Sequence, residues 1–202
     1  MNLLLLCLTG YLIGSIPSGF LLAKFGAGID LREFGSNSTG ATNVLRAADK
    51  KLALITLLAD AAKGIVFTLF LRLFSDNPYA LVAAFCSIVG HVHPIWLRFR
   101  GGKGVATSAG IFLVLSPIFT LISVAIWAGI AKFIKISSVA SSALVGSFTI
   151  LTLYGYFTGQ TQLDVVAFAV AVLIFALYTH FGNIRRILHK EETVVRAKTS
   201  RK

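Results

Sequence analysis

The sequence predicts an all-α integral membrane protein, a polytopic bundle of about seven helices, and three observations carry that prediction. Of its 202 residues, 56% are hydrophobic and 13% charged, whereas soluble domains carry about a quarter charged residues. The mean hydropathy is +0.82. The apolar residues gather into runs near the length a helix needs to cross the hydrocarbon, with short polar breaks between them. Net charge is +11 and the isoelectric point about 10.1. Even so, the basic residues punctuate apolar runs instead of lining one face, which excludes nucleic acid as a partner.

The apolar runs cover roughly 3–22, 52–72, 79–97, 105–131, 134–158 and 163–181. No positive charge precedes Lys24, so the first run reads as a retained span with its N-terminus outside, not as a secretory signal. Segment 23–51 carries Lys24, Arg32, Arg46, Lys50 and Lys51, segment 98–104 carries Arg98, Arg100 and Lys103, and the tail after His180 holds seven more. The positive-inside rule puts all three on the cytoplasmic side. The breaks at 73–78 and 159–164 hold no Lys or Arg and belong outside.

Six simple spans would leave the basic tail outside, against its charge. Ser116-Pro117 interrupts the fourth run, and Lys132 and Lys135 follow it. Two shorter helices, about 105–116 and 118–133, that go in and come back restore the parity. The expectation is therefore seven helices, two of them short or broken, with the C-terminus cytoplasmic. Broken helices at membrane depth are tolerated where they line a polar cavity. Residues 1–190 read as one membrane-embedded domain and 191–202 as a polar, basic tail. No internal repeat is visible, which speaks against a two-halved carrier.

Gly35-Ser36-Asn37-Ser38-Thr39-Gly40-Ala41-Thr42-Asn43-Val44-Leu45-Arg46 occupies the first long polar break and contains no acid. Its glycines can turn backbone N–H groups toward a ligand, and its hydroxyls, amides and Arg46 add donors, the chemistry of a phosphate cradle. The bland alternative is a flexible polar loop between spans. Lys63 follows Asp60 by three residues inside the second apolar run, so both sit on one helix face. Either they pair to staple the bundle, or the lysine faces the same cavity as the 35–46 loop.

Gly101-Gly102-Lys103-Gly104 opens a helix near Val105, where exposed N–H groups, the helix dipole and Lys103 suit an anion. His91 and His93 have no carboxylate to complete a metal site, and no metal or other cofactor is expected. Ser137, Ser138, Ser141 and Ser142 open the next long span, as caps or facing the cavity, with Ser142 the substrate-binding candidate. His180 and Asn183 share a face if the last helix continues past Gly182. That histidine could be a base, a hydrogen-bond partner for a phosphate, or an interfacial anchor. Cys7 and Cys86 lie in apolar runs and read as small hydrophobes.

Together, Gly-Ser-x-x-x-Gly-Ala-Thr-Asn-Val-Leu-Arg at 35–46, Asp60-x-x-Lys63-Gly64, Gly90-His91-x-x-Pro94 through Phe99-x-Gly101-Gly102-Lys103-Gly104-Val105-Ala106-Thr107, and His180-x-x-Asn183-Ile184 resemble the bacterial acyl-phosphate:glycerol-3-phosphate acyltransferases. The resemblance spans about residues 10–192. It implies a multi-pass inner-membrane enzyme whose active site faces the cytoplasm. Such an enzyme moves a fatty acyl group from long-chain acyl phosphate to the 1-hydroxyl of glycerol 3-phosphate. Lysophosphatidic acid and phosphate result, the first step of phospholipid synthesis. By the same likeness Ser36, Asn37, Ser38, Gly40, Thr42, Asn43 and Arg46 of the 35–46 loop and Gly101, Gly102 and Lys103 of the turn would hold the phosphates; Lys63 and Ser142 are added to the expected substrate ligands from their own positions. His180 and Asn183 would stand next to the reacting groups.

Asn37 and Ser38 depart from that family's commoner pattern, which has Gly and Asn there. No Gly-x-Ser-x-Gly elbow and no His-x4-Asp motif of the soluble-domain glycerolipid acyltransferases is present. Acyl phosphate is a mixed anhydride with a good leaving group, so positioning and electrostatic stabilisation by Lys103 and Arg46 suffice as an expectation. The hydroxyl proton would go to His180 or to a substrate phosphate oxygen. The competing class is a transporter or exchanger of phosphorylated metabolites.

Overall fold

The computed structural model describes residues 2–75 and 79–189. Among them are nine α-helices and no strand. Five helical segments are long and apolar enough to cross a membrane, and two shorter apolar helices join them.

The first span runs from Leu3 to Ala27, longer than the apolar run suggested, and is broken in the middle. α1 (Leu3–Ser15) starts where the Asn2 side chain accepts from the Leu4 N–H and stops at Ile16-Pro17, since proline offers no N–H to continue the ladder. α2 (Ser18–Ala27) ends at Gly28 in the left-handed region, with φ +69°. The polar segment that follows is no loose loop. A 3-10 turn at Leu31–Glu33 and the short helix α3 (Ala41–Ala47) bury Leu31, Val44 and Ala47 against Ala23 and Ala53. This lobe has its own small core, which the sequence reading did not anticipate.

Asp49 caps α4 (Lys50–Phe74) by accepting from Leu52 N–H at 2.8 Å. α5 (Ala80–Val92) and α1 form the most extensive helix pair. A Cβ on Gly14 would lie 2.0 Å from the Ser87 carbonyl oxygen, and one on Gly90 would lie 2.1 Å from that of Tyr11, so small residues set their approach. α6 (Val105–Leu115) and α7 (Pro117–Phe133) are separated by Ser116, with Pro117 as the first residue of α7. α8 (Ser137–Phe157) and α9 (Leu163–Leu188) complete the bundle.

Contacts between the helices fix the direction of each one. Residues 10 and 14 of α1 meet 83 and 87 of α5, so these two run the same way. Thr107 near the start of α6 donates to the Asp60 carbonyl of α4 at 3.0 Å, and Arg72 further along α4 donates to the Val114 carbonyl near the end of α6 at 2.7 Å, so α4 and α6 also run together. Gly155 near the end of α8 meets Phe119 at the start of α7, so that pair is antiparallel. The described residues thus alternate in direction through seven helical segments, five of them long enough to cross a membrane, with the 34–46 lobe, the 98–104 turn and the end of α9 toward one end of the bundle and residue 2 toward the other. The tail at 191–202, and Lys190 before it, lie outside the described residues.

α6 is short for a reason the contacts expose. It begins beside Asp60 and Gly64, ten residues into α4, and so about 15 Å along that helix at 1.5 Å per residue. The Gly101–Gly104 turn is recessed into the bundle.

Candidate functional site

One cavity of about 900 Å³ opens among the 34–46 lobe and the helices α4, α6, α7, α8 and α9. Of the sequence-predicted residues, Ser36, Asn37, Ser38, Gly40, Thr42, Asn43, Arg46, Lys103, His180 and Asn183 line it.

Asn43 organises the lobe's side of the wall. It is 1% exposed, its amide donates to the carbonyls of Phe34 and Ser38 at 2.9 Å and of Leu31 at 3.3 Å, and its Oδ1 accepts from Ser36 N–H at 3.2 Å. Its polar atoms shape the cradle from behind. Gly35 sits at φ +59°, where a Cβ would lie 2.4 Å from Asn43 Oδ1, so glycine is required there. Asn37 is also left-handed, at φ 56°. Asparagine tolerates that region better than most residues, which explains how it replaces the glycine usual in the family it resembles. Thr42 Oγ1 is 2.8 Å from Ser137 Oγ, pinning the lobe to the start of α8.

The opposite wall is the glycine turn. Gly101 and Gly102 donate to the carbonyls of Val92 and His91 at 3.0 and 3.1 Å, and the Thr39 N–H donates to the Gly101 carbonyl at 3.3 Å, joining the two motifs through backbone. Gly104 lies at φ +78° immediately before α6. Lys103 donates to Asn183 Oδ1 of α9, which fixes the amide's orientation.

α9 does continue past Gly182, so His180 and Asn183 share a face and are both buried. His180 Nδ1 lies 2.8 Å from the Ala176 carbonyl oxygen. A carbonyl can only accept, so Nδ1 carries a proton and Nε2 is the ring nitrogen turned away from this contact.

Four predicted site residues do not line the cavity. Lys63 is buried, donates to the Ile16 carbonyl at 2.7 Å and pairs with Asp60 Oδ1 at 2.8 Å, so the geometry favours the stapling alternative over a cavity-facing lysine. Asp60, its partner, lines the wall instead. Gly101 and Gly102 pack their α-carbons against Pro94 and His91 and contribute backbone only. Ser142 is off the wall, while Ser137, Ser138 and Ser141 are on it; one residue turns a helix face by about 100°. Arg186 also lines the cavity. Its signal was the three-residue step from Asn183, hidden because Arg185 and Arg186 read together as topology charges.

Arg46, Lys103 and Arg186 make the mouth cationic, and Asp60 is the one acid among the described lining residues. Among the described residues no cluster of three His, Cys, Asp or Glu could hold a metal ion. At the lobe's edge, hydrogen bonds from the Arg32 guanidinium and backbone N–H hold the Asp30 carboxyl down at about 2, and the same contact raises the guanidinium.

Away from the mouth the cavity becomes an apolar arm between Leu57, Leu58 and Ile65 of α4 and Leu121, Val124 and Trp127 of α7, with Leu113 of α6 behind. α6 packs on α4 and α7 packs on α8, so α4 and α7 face each other across the arm. Leu58 and Leu121 on its two rims are 60% and 62% exposed, as lipid-facing residues are. The arm opens sideways between α4 and α7, on the apolar flank of the bundle.

The family model described as glycerol-3-phosphate acyltransferase matches residues 4–190. Curated relatives of that name include one from Anaeromyxobacter sp. (strain Fw109-5), 43% identical over 96% of both chains. Another, from Bacillus subtilis (strain 168), is 38% identical over 97% of this chain and 99% of its own. The chain superposes on the crystal structure of PlsY, an integral membrane glycerol 3-phosphate acyltransferase, in its glycerol 3-phosphate form with a TM-score of 0.85, at 34% identity over 95% of this chain and 94% of that one. With the lysophosphatidic acid form the TM-score is 0.83 at 32% identity, with the same coverage.

Proposed function

The chain belongs to the glycerol-3-phosphate acyltransferase family, and from that premise we propose that it transfers a fatty acyl group from acyl phosphate to the 1-hydroxyl of glycerol 3-phosphate at the cytoplasmic face of the bacterial inner membrane. The carrier alternative loses its support with family membership. The observation that carries the reading is one cavity with a cationic, hydrogen-bonding mouth and an apolar arm open to lipid. Glycerol 3-phosphate is a small dianion and fits the mouth. Acyl phosphate brings a dianion and a long chain, and fits mouth and arm together.

In the proposed reaction Arg46, Lys103 and Arg186 neutralise the phosphates and hold the two substrates in register. The glycerol hydroxyl oxygen attacks the acyl carbonyl carbon, the new C–O ester bond forms, and the bond from that carbon to the phosphate oxygen breaks. Lys103 lies where it can stabilise the charge on the carbonyl oxygen. The His180 Nε2 lone pair accepts the hydroxyl's hydrogen bond and aims it. The proton then passes to Nε2 or to the departing phosphate, and His180→Ala separates these: near-normal turnover at saturating substrate removes the histidine as base. Ser36, Asn37, Ser38, Gly40, Thr42, Ser138 and Ser141 supply the remaining donors of the cradle.

The test is product formation by the purified protein in detergent, given labelled glycerol 3-phosphate with palmitoyl phosphate or, in parallel, palmitoyl coenzyme A. Lysophosphatidic acid from acyl phosphate alone supports the reading. Product from the thioester overturns the donor, and no product from either overturns the reaction.

A further inference from the structure

Asp60, Lys63 and His91 form a buried cluster that the reaction above does not use. The three are at most 7% exposed. Lys63 Nζ lies 2.8 Å from Asp60 Oδ1 and 3.5 Å from His91 Nδ1, and His91 Nδ1 lies 3.6 Å from the same carboxylate oxygen. Charged groups at this depth are costly and persist where they are paired. Further bonds tie the pair to its neighbours: Lys63 donates to the Ile16 carbonyl, and Thr107 of α6 donates to the Asp60 carbonyl at 3.0 Å.

The other end of the imidazole reaches the glycine turn. A Cβ on Gly102 would lie 2.0 Å from His91 Nε2 and 2.9 Å from Cδ2 and Cε1, so the ring edge abuts the Gly102 α-carbon. The His91 carbonyl accepts the Gly102 N–H and would stand 2.2 Å from a Cβ on Gly101. Two consecutive glycines have the most backbone freedom to lose and no side chain to pack. Backbone bonds to Val92 and Thr39 and the Pro94 ring help to place Gly101, whereas at Gly102 the side chain that closes on the α-carbon is His91.

We propose that His91 is a positioning residue for substrate phosphate. Lying beside the Asp60–Lys63 pair at Nδ1 and abutting Gly102 at Nε2, it sets the turn, and with it Lys103, at a fixed place relative to α4. The inference rests on the reading that this turn holds the phosphate monoester of a substrate. Which substrate, glycerol 3-phosphate or acyl phosphate, is told by whose KM moves.

The experiment compares His91→Gln, His91→Asn, His91→Ala, Gly102→Ala and the double variant His91→Ala/Gly102→Ala, with KM for each substrate, kcat and thermal stability read separately. A glutamine amide reaches the place of Nε2, whereas an asparagine amide reaches only that of Nδ1. His91→Gln keeps KM within about twofold, while His91→Asn and His91→Ala raise it about tenfold with kcat within about threefold, the pattern of lost ground-state positioning. Gly102→Ala raises the same KM because its methyl displaces the ring, and the double variant is no worse than either single, because once the ring is gone the methyl has room and the same contact is already lost. Unchanged KM in His91→Asn and His91→Ala, a loss confined to kcat, equal behaviour of His91→Gln and His91→Ala, or multiplying effects in the double variant would each overturn the proposal. If His91→Ala does not fold, the comparison of His91→Gln, His91→Asn and Gly102→Ala still decides. A wild-type protein without turnover defeats the reaction; an active wild type with unmoved variants defeats only the positioning role.

Discussion

The two ends of the cavity are built on different principles. At the mouth, position is fixed atom by atom: Asn43 spends its amide on three carbonyls and one N–H, Lys103 is held by Asn183, and His180 is locked by a backbone carbonyl. In the arm, Leu58, Ile65, Leu121 and Val124 offer only surface, and no hydrogen bond sets where their tips lie. Hydrogen bonds are directional and costly to leave unmade, whereas apolar burial is non-directional and scales with area. The mouth therefore specifies a geometry and the arm a phase.

The comparison can be broken by substitutions, and Lys103→Ala has the largest expected effect. It removes a cation and the partner of Asn183 together, so kcat/KM falls by roughly 10²- to 10³-fold, the scale of losing one preorganised electrostatic donor. Steady-state assays with acyl phosphate check it. Asn43→Ala comes next: it leaves the carbonyls of Leu31, Phe34 and Ser38 without their donor, costing about 2–3 kcal/mol of stability with raised KM, seen by thermal melting and kinetics together. Asn43→Asp is worse than Ala, because it sets a buried carboxylate oxygen against those carbonyl oxygens, where Ala only leaves them without a donor. Leu121→Ala in the arm changes kcat by less than about threefold and shifts preference among acyl-chain lengths, since one or two methylene contacts carry roughly 1–3 kcal/mol of discrimination. If Leu121→Ala matched Asn43→Ala in kcat/KM, the distinction between mouth and arm would collapse.

The smallest effect belongs to the lobe's edge. Hydrogen bonds from Arg32 hold the Asp30 carboxyl down at about 2 in the folded chain, below its ordinary value of 3.8. Its pairing with Arg32 therefore stabilises the fold above the unfolded pKa and is lost as pH falls from about 4 to about 2. Asp30→Asn should lie slightly below wild type in melting temperature at neutral pH, and the two curves should converge at the acid end. Curves that stay parallel would show that the contact adds nothing.

How much of this was legible in the sequence follows the same division. The passes were legible because charge parity is a global rule that single residues report: Lys132 and Lys135 with Pro117 gave the broken pair. The cradle motifs were legible as chemistry, since glycine, hydroxyl and basic residues without acids mean anion. What stayed hidden was rotational and tertiary. Ser142 was chosen and Ser141 lines the wall, one step round a helix. Lys63 was placed among the substrate ligands, and the structure turns it to Asp60 and Ile16, because the freed carbonyl at the α1–α2 break cannot be seen from α4's sequence. The packed lobe around Val44 was missed because a seven-residue helix carries too little periodicity to register.

The recessed start of α6 has a consequence for traffic. Because the anion turn lies about 15 Å along α4, the acyl carbonyl can be reached while its chain still lies among lipid tails. Lifting a chain into water costs about 0.8 kcal/mol for every methylene exposed, and that cost never arises. If the proposed reaction holds, reactant and product would slide through the gap between α4 and α7 in the plane of the membrane, while the water-soluble partner alone would commute through the mouth. On that reading the protein would be a two-dimensional port on one side and a three-dimensional port on the other.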